Sequence, residues 1–210
     1  MKLDPLQRHL FFLAIIGMLL TGCSLRRVTD SPRHFVLKPI GEDGPAPGTK
    51  RDLSVGIGYV RMPPELLRDS LAVQNGTNEF QYLENALWAE RLDHGFERTL
   101  AANLSQLLSS DSIFTGNWSR DEVMLRVSIQ VEKFEVDTRG NGTLLARWRI
   151  KARDKEQPLK TGIARVTRTG ASPRANPEAI VTTLSDLTAD FSRDLAQALR
   201  ESSQKFAKTD

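Results

Sequence analysis

Few side chains in this 210-residue sequence are of the types that carry acid–base, nucleophilic or metal chemistry. It contains one cysteine and three histidines, too few for a disulfide framework or a cysteine-based zinc site. A serine hydrolase would have to use His34 or His94, because His9 lies in the apolar leader described below. No Gly-x-Ser-x-Gly segment is present to expose a serine. We therefore expect His34 and His94 to be surface residues and the protein not to be an enzyme.

Two glycine-containing segments resemble phosphate-binding loops only superficially. In the segment 44–50, the order Gly-Thr-Lys is wrong for such a loop, and no apolar strand leads into it. The pair Gly56 and Gly58 lacks a third glycine, since Arg61 occupies that place. The net charge is only +3, and the basic residues are scattered rather than gathered in a stripe. The sequence predicts no cofactor, no metal site and no nucleic-acid binding.

The N-terminal segment has the pattern of a secretory leader. Lys2 and Arg8 precede an unbroken apolar run over 10–20, which is shorter than the about 20 residues that a membrane-spanning helix needs. The following Leu20-Thr21-Gly22-Cys23 resembles the lipobox of bacterial lipoproteins. That resemblance implies a signal peptide over 1–22 and acylation of Cys23, palmitate included. The alternatives are a leader with a chance cysteine and a core helix that buries Cys23.

Ser24 bears on the location of the predicted lipoprotein. In lipoproteins of enteric type, an aspartate after the acylated cysteine retains the protein at the inner membrane. Ser24 stands at that position here, which implies sorting to the outer membrane, on its periplasmic face. Residues 23–34 then form a short lipidated tether, and residues 35–210 form a single domain.

Apolar residues at every second position predict several strands. Short or bent extended segments are expected over 34–37 and 80–92, the latter as one strand or a hairpin. The stretch 53–60 alternates, and it predicts one face that carries Leu53, Val55, Ile57 and Tyr59 and another that carries Ser54, Gly56, Gly58 and Val60. The two glycines on one face indicate that something packs closely there.

A longer strand over 123–136 changes parity after Val131, which predicts a β-bulge near Glu132 and Lys133. A turn over 137–142 leads into a partner strand over 144–151. The stretch 159–169 is more polar and is expected near a sheet edge.

Two amphipathic helices complete the predicted fold. One begins at Asp93 and carries an apolar stripe to Leu108, and the other begins at the Asn176-Pro177-Glu178 signal and has a stripe through Leu199. The predicted class is α/β, or α+β by element order. We expect a mixed sheet of about five strands packed with two long helices.

A few side chains are candidates for contacts with a partner. Trp88 and the Glu90 and Arg91 that follow it could belong to a binding surface, but a core tryptophan beside a solvated ion pair is the favoured interpretation. A solvated face is likewise favoured for Arg147 and Arg149. Aromatic and arginine side chains around 53–92 and 143–151 would suit interface anchors wherever they are exposed; the aromatic ones are Tyr59, Trp88 and Trp148.

Several of these pieces together resemble one family, the ABC-transport auxiliary lipoproteins of the PqiC type. The family pattern has an aromatic-rich first strand, a glycine-containing strand that ends in prolines, and a Trp-Ala-Glu segment before a helix. This chain departs from it at Tyr59, Glu65 and Arg91. The matching pieces are the lipobox, Phe35-Val36-Leu37, the segment 53–64, the segment 87–92 and Phe134-Glu135.

The resemblance implies a three-layer fold similar to the N-terminal domain of TolB. It also implies a non-catalytic lipoprotein subunit of an envelope lipid-transport system that maintains membrane integrity, working with a periplasmic MCE-domain subunit. No ATP, metal or redox cofactor is implied, and a homo-oligomer is left open. The alternative is an outer-membrane lipoprotein adaptor for cell-wall or other envelope assembly machinery.

Overall fold

Eight strands and two long helices form the part of the chain that a computed structural model describes, residues 31–41, 53–174 and 176–207. Two single 3₁₀ turns, Pro64–Leu66 and Arg120–Glu122, lie between them. Described residues from Pro32 onward belong to one compact unit. The elements are β1 (Arg33–Phe35), β2 (Val55–Arg61), β3 (Ser70–Asn75), β4 (Glu79–Trp88), α1 (Leu92–Leu108), β5 (Ile113–Phe114), β6 (Leu125–Val136), β7 (Asn141–Ala152), β8 (Pro158–Thr169) and α2 (Glu178–Ala207).

The larger sheet has the strand order β5-β2-β6-β7-β8. Strand β2 runs parallel to both β5 and β6, and β6, β7 and β8 pair antiparallel, so the sheet is mixed as predicted. The polar β8 lies at an edge, also as predicted. The predicted β-bulge near Glu132 and Lys133 is confirmed, because the pairing of β6 with β7 shifts register between Val131 and Lys133. The bulge lets Val131 and Phe134 both face the core.

A second sheet has the order β1-β4-β3. The segment 80–92 was expected to be a bent strand or a hairpin, and it proves to be one strand, β4, of a hairpin with β3. The sequence did not predict β3. Gly76 in the connecting turn has φ +69°, a left-handed conformation that glycine adopts without strain.

Both helices pack on one side of the large sheet. Helix α1 contacts β2 and β5, and helix α2 contacts β6, β7 and β8. The centre of this core is Phe96, whose ring lies 5.3 Å from that of Phe134 at 82° and 6.0 Å from that of Phe191. All three rings are fully buried. No helix among the described residues combines the length and apolarity needed to cross a membrane.

The N-terminal segment of the domain is bonded to both helices. The buried Asn103 of α1 accepts the Ile40 N–H at 2.7 Å and donates its side-chain amide to Ser192 of α2 at 3.0 Å. The Lys38 N–H donates to the Ser185 hydroxyl of α2 at 3.1 Å. Buried polar groups are costly to leave unpaired, so these bonds fix the path of the chain just after the tether.

The turn between β6 and β7 is organised by one carboxylate. Asp137 Oδ1 accepts the backbone N–H groups of Arg139 and Asn141, each at 2.8 Å, and Oδ2 accepts the Asn141 side-chain amide at 2.9 Å. Partial burial raises the pKa of Asp137, but these hydrogen bonds and those from the Arg139 side chain outweigh it and lower the pKa from 3.8 to about 2. The ionised carboxylate therefore stabilises the turn.

Asp137→Asn is expected to lower the free energy of unfolding by about 1–2 kcal/mol at pH 7. Because the folded-state pKa is depressed, this contribution is present above pH about 4 and is lost as the pH falls toward about 2. Urea unfolding of the two proteins at pH 7 and at pH about 2.5 should show the difference shrinking. Glu156→Gln, at a side chain that is 77% exposed, is the control. A pH-independent penalty for Asp137→Asn would contradict the assignment.

Candidate docking surface

The side of the large sheet that faces away from the helices carries an open patch of eight exposed side chains. Strand register places them in two adjacent rows that cross β2, β6, β7 and β8. Together they line an open groove of about 710 Å³. We call this patch the outer face; its rows are Arg61, Gln130, Arg147 and Ile163, and Tyr59, Ser128, Arg149 and Thr161.

Tyr59 reaches the outer face through a β-bulge. Ile57 pairs with Val127 and Val60 with Ile129, so Gly58 and Tyr59 together oppose the single residue Ser128. Strict alternation along β2 predicted Tyr59 on the face of Val55 and Ile57, and Val60 on the other face. That assignment is wrong, because the bulge after Ile57 reverses the face to which the later residues of β2 point. The Tyr59 side chain is 78% exposed, whereas Val60 is 6% exposed and belongs to the core.

The outer face carries an excess of positive charge. Its charged residues are all arginines. Arg147 forms an ion pair with Glu132 of the neighbouring strand. Arg61 and Arg149 have no ion pair or side-chain hydrogen bond to any described residue, and both are exposed. The interpretation of Arg147 and Arg149 as residues of a solvated face agrees with their exposure, and Arg61 joins them there.

The tryptophans considered as anchors lie elsewhere. Trp88 is 8% exposed and packs in the core, as the favoured interpretation of its segment expected. Trp148 pairs directly with the buried Ile129, and the paired side chains share the helix-covered face. Its ring covers Gly162 on β8, where an added Cβ would lie 2.3 Å from it. Neither residue is available to a partner on the outer face.

The third tryptophan, Trp118, accounts for Gly56 of β2. Trp118 lies over Gly56, where a Cβ would be 2.6 Å from its ring, and its indole N–H donates to the Ile57 carbonyl at 3.1 Å. The expectation that something packs closely on this face is confirmed at Gly56; at Gly58 an added Cβ would lie 3.3 Å from the Val127 carbonyl oxygen. Because this side of Gly56 is filled by an indole ring, it has no space for a phosphate. The segment 44–50 lies outside the described residues.

The histidines are placed on separate elements. His34 lies in β1 and His94 in the first turn of α1, and both are exposed. Within the described ranges, no group of three or more histidine, cysteine, aspartate or glutamate residues is arranged to hold a metal ion. Cys23 lies outside the described residues.

A second open groove, of about 560 Å³, lies between β1, the segment 36–41 and α2. It has His34 and Val36 on one wall and Val181 and Ser185 on the other. Its arginines are neutralised locally, because Arg33 lies 3.6 Å from Glu178 and Arg193 lies 2.7 Å from Asp190. This groove lies where the chain enters the domain, and it lacks the unpaired charge of the outer face.

Two further electrostatic couplings lie on the helix side of the sheet. Hydrogen bonds from Arg168 of β8 lower the pKa of Asp190 on α2. Burial raises the pKa of Glu97 on α1, although its carboxylate accepts the Gly116 N–H at 3.1 Å. These groups connect helices to strands and loops, and none of them lines the outer face.

Comparison with known protein families identifies one match. A model of the family described as "ABC-type transport auxiliary lipoprotein component" matches residues 35–196. The match covers β2 through β8, both rows of the outer face and most of α2. No curated protein matches the sequence at a significant level.

Solved structures show the same fold. One crystal structure of an uncharacterised protein superposes with a TM-score of 0.67 at 17% identity, covering 81% of this chain and 99% of the other. A second, of protein XCC0632 from Xanthomonas campestris in the DUF330 family, has a TM-score of 0.66 at 13% identity and covers 83% and 99% of the two chains. At these identities the likeness concerns the fold alone.

Proposed function

Because this chain belongs to the ABC-type transport auxiliary lipoprotein family, we propose that it is a non-catalytic outer-membrane subunit of an MCE/ABC-type envelope lipid-transport system. The family match over residues 35–196 is the observation that carries this proposal. In this role the protein binds a periplasmic MCE-domain subunit and thereby helps to maintain membrane integrity.

The proposed attachment to the membrane is acylation of Cys23 after removal of residues 1–22. The lipobox ending at Cys23 supports it, and Ser24 supports the outer membrane rather than the inner one. The folded unit begins at Pro32, so few residues separate the anchor from the domain. The lipid holds the domain close to the periplasmic face of the membrane.

A non-catalytic role agrees with the chemistry of the described surface. His34 and His94 lie on different elements and are exposed. General acid–base catalysis requires such groups to meet a substrate in a defined pocket. In the groove beside His34, the charged residues Arg33, Glu178 and Arg193 are held in ion pairs. The eight residues of the outer face supply hydroxyl, amide, guanidinium and apolar groups but no carboxylate or imidazole.

A strain that lacks the gene should lose survival in detergent and recover it when the unmodified protein is supplied. We expect the double variant His34→Ala/His94→Ala to restore survival to within about twofold of the unmodified protein, because exposed surface substitutions change stability little. Protein levels are matched by immunoblot. A loss of complementation by this variant at equal protein level would show that a histidine takes part in chemistry. Full survival of the deletion strain would contradict the role in membrane integrity.

A further inference from the structure

We propose that the outer face is the docking surface for a protruding, acidic element of the periplasmic partner subunit. The existence of that partner rests on the proposed function, and the location and chemistry of the contact rest on the structure. Three properties of the outer face support such a contact: its unpaired charge, its shape and the kind of side chains it exposes.

The positive charge of the outer face is complementary to an acidic partner. Arg61 is exposed on β2 in one row and Arg149 on β7 in the other, and neither has an acidic partner among the described residues. Arg165, which is exposed on β8 opposite Leu145, extends the positive surface beyond the groove. Guanidinium groups bind carboxylates through two parallel hydrogen bonds, which gives direction as well as attraction. Aspartate or glutamate side chains of a partner would form ion pairs with these arginines.

The shape of the outer face suits a protrusion. The rows line a groove of about 710 Å³ rather than a flat surface. The two rows span three residues on each of four strands. With strands about 4.8 Å apart and a rise of about 3.3 Å per residue, this is an area of about 200 Å², a fraction of the about 800 Å² that each partner contributes to a standard interface. A loop or helix end that enters the groove would therefore form the centre of a larger contact.

The exposed side chains include anchors of the usual kind. Tyr59 is 78% exposed and Ile163 is 44% exposed, and binding hot spots are enriched in tyrosine and arginine. The β-bulge that directs Tyr59 outward breaks the regular alternation of β2, and bulges commonly re-aim a side chain next to a functional site. The same bulge places Val60 in the core, whereas the exposed Tyr59 ring contributes no core packing in the free protein.

An anionic bilayer is the other surface that would attract these arginines. A bilayer presents no protrusion to fill a groove that lies between four strands, and contact with a flat surface would leave the floor of the groove uncovered. The concave shape therefore favours a protein partner. The experiment separates the two.

The test measures binding of the purified periplasmic MCE-domain subunit to the full-length lipoprotein held in neutral detergent. We expect Arg149→Glu to weaken binding at least about 10-fold and Arg61→Glu/Arg149→Glu at least about 100-fold. Arg61→Gln/Arg149→Gln should weaken it about 10-fold and reduce its dependence on salt between about 0.05 and about 0.5 M NaCl. The matched control is Arg174→Glu, an exposed arginine in the turn before α2, with an expected change of less than about twofold.

Melting temperatures establish that each variant is folded. If Arg61→Glu/Arg149→Glu does not fold, the binding of Arg61→Gln/Arg149→Gln decides the test. Equal binding by the unmodified protein and the folded outer-face variants would overturn the docking surface while leaving the proposed function intact. No binding by the unmodified protein would contradict the proposed function itself, and with it this inference. If the outer-face variants lose binding to phosphatidylglycerol vesicles but still bind the subunit normally, the outer face is a lipid-binding surface and the proposal is overturned.

Discussion

A version of the protein that begins at Ser24 behind a cleavable secretory leader is expected to appear in the soluble periplasmic fraction, whereas the full chain stays with the membranes. Each buried CH₂ of an acyl chain contributes about 0.8 kcal/mol, so several chains on Cys23 hold the protein permanently and their removal abolishes attachment. No described helix offers a second way to span the membrane. We expect more than about 90% of the version that begins at Ser24 to be in the soluble fraction.

Cys23→Ser in the full chain provides the matched chemical test. A serine hydroxyl replaces the thiol that is acylated, so the intact mass of the purified protein should lack the acyl groups that the unmodified protein carries. Fractionation is done in high salt and without the partner subunits. Membrane association of the Ser24 version under those conditions would show a second membrane-binding surface and contradict Cys23 as the sole anchor.

Local patterns in the sequence predicted much of the sheet and both helices. Strand β6 keeps strict alternation up to Val131, and the change of parity to Phe134 required a bulge that the register confirms. The turn before β7 was predicted, but it ends earlier than expected: Asn141 and Gly142 belong to β7, and Gly140, with φ +95°, is the residue in the left-handed conformation. The start of α2 was predictable because Asn176-Pro177-Glu178 acts through its own local conformation. Asn176 indeed accepts the Glu178 N–H at 3.0 Å. These signals depend on neighbours along the chain.

Features that depend on distant residues were not predictable in the same way. Strand β3 is short, and only Leu71 and Val73 of it are buried, so its pairing with β4 decides its conformation. The bulge at Tyr59 follows a run of perfect alternation, and only the apolar Val60 next to it hinted at a change of face. The direction of Tyr59 is set by where β6 offers hydrogen bonds, which the sequence of β2 does not contain.

The outer face illustrates the same limit for the candidate site. Arg147 and Arg149 were noted from the pattern of β7 alone, but Arg61 and Ile163 join them only through strand pairing. Trp88 and Trp148 had the right residue type for anchors and proved to be core residues or to lie on the helix-covered face. Exposure is a property of the assembled sheet, so residue type alone could not separate Tyr59 from the two tryptophans.

The central claim is that the folded domain, held by its lipid, binds a periplasmic MCE-domain subunit without help from the tether sequence. Residues 25–31 can be exchanged for a Gly/Ser linker of equal length, which preserves reach and removes side chains. The exchange ends at Ser31 because Arg33 already contacts Asn176 and Glu178 of the domain. Both forms carry the same affinity tag and are expressed at equal levels.

The most direct measurement is the identity and yield of the proteins that co-purify with these two forms from solubilised envelopes. We expect an MCE-domain subunit to be enriched strongly over an untagged control, with equal yield from the unmodified and linker-exchanged forms. Recovery of wall-synthesis proteins in its place would favour the adaptor of cell-wall assembly. Absence of the MCE-domain subunit, or its loss on exchange of the tether, would contradict the account.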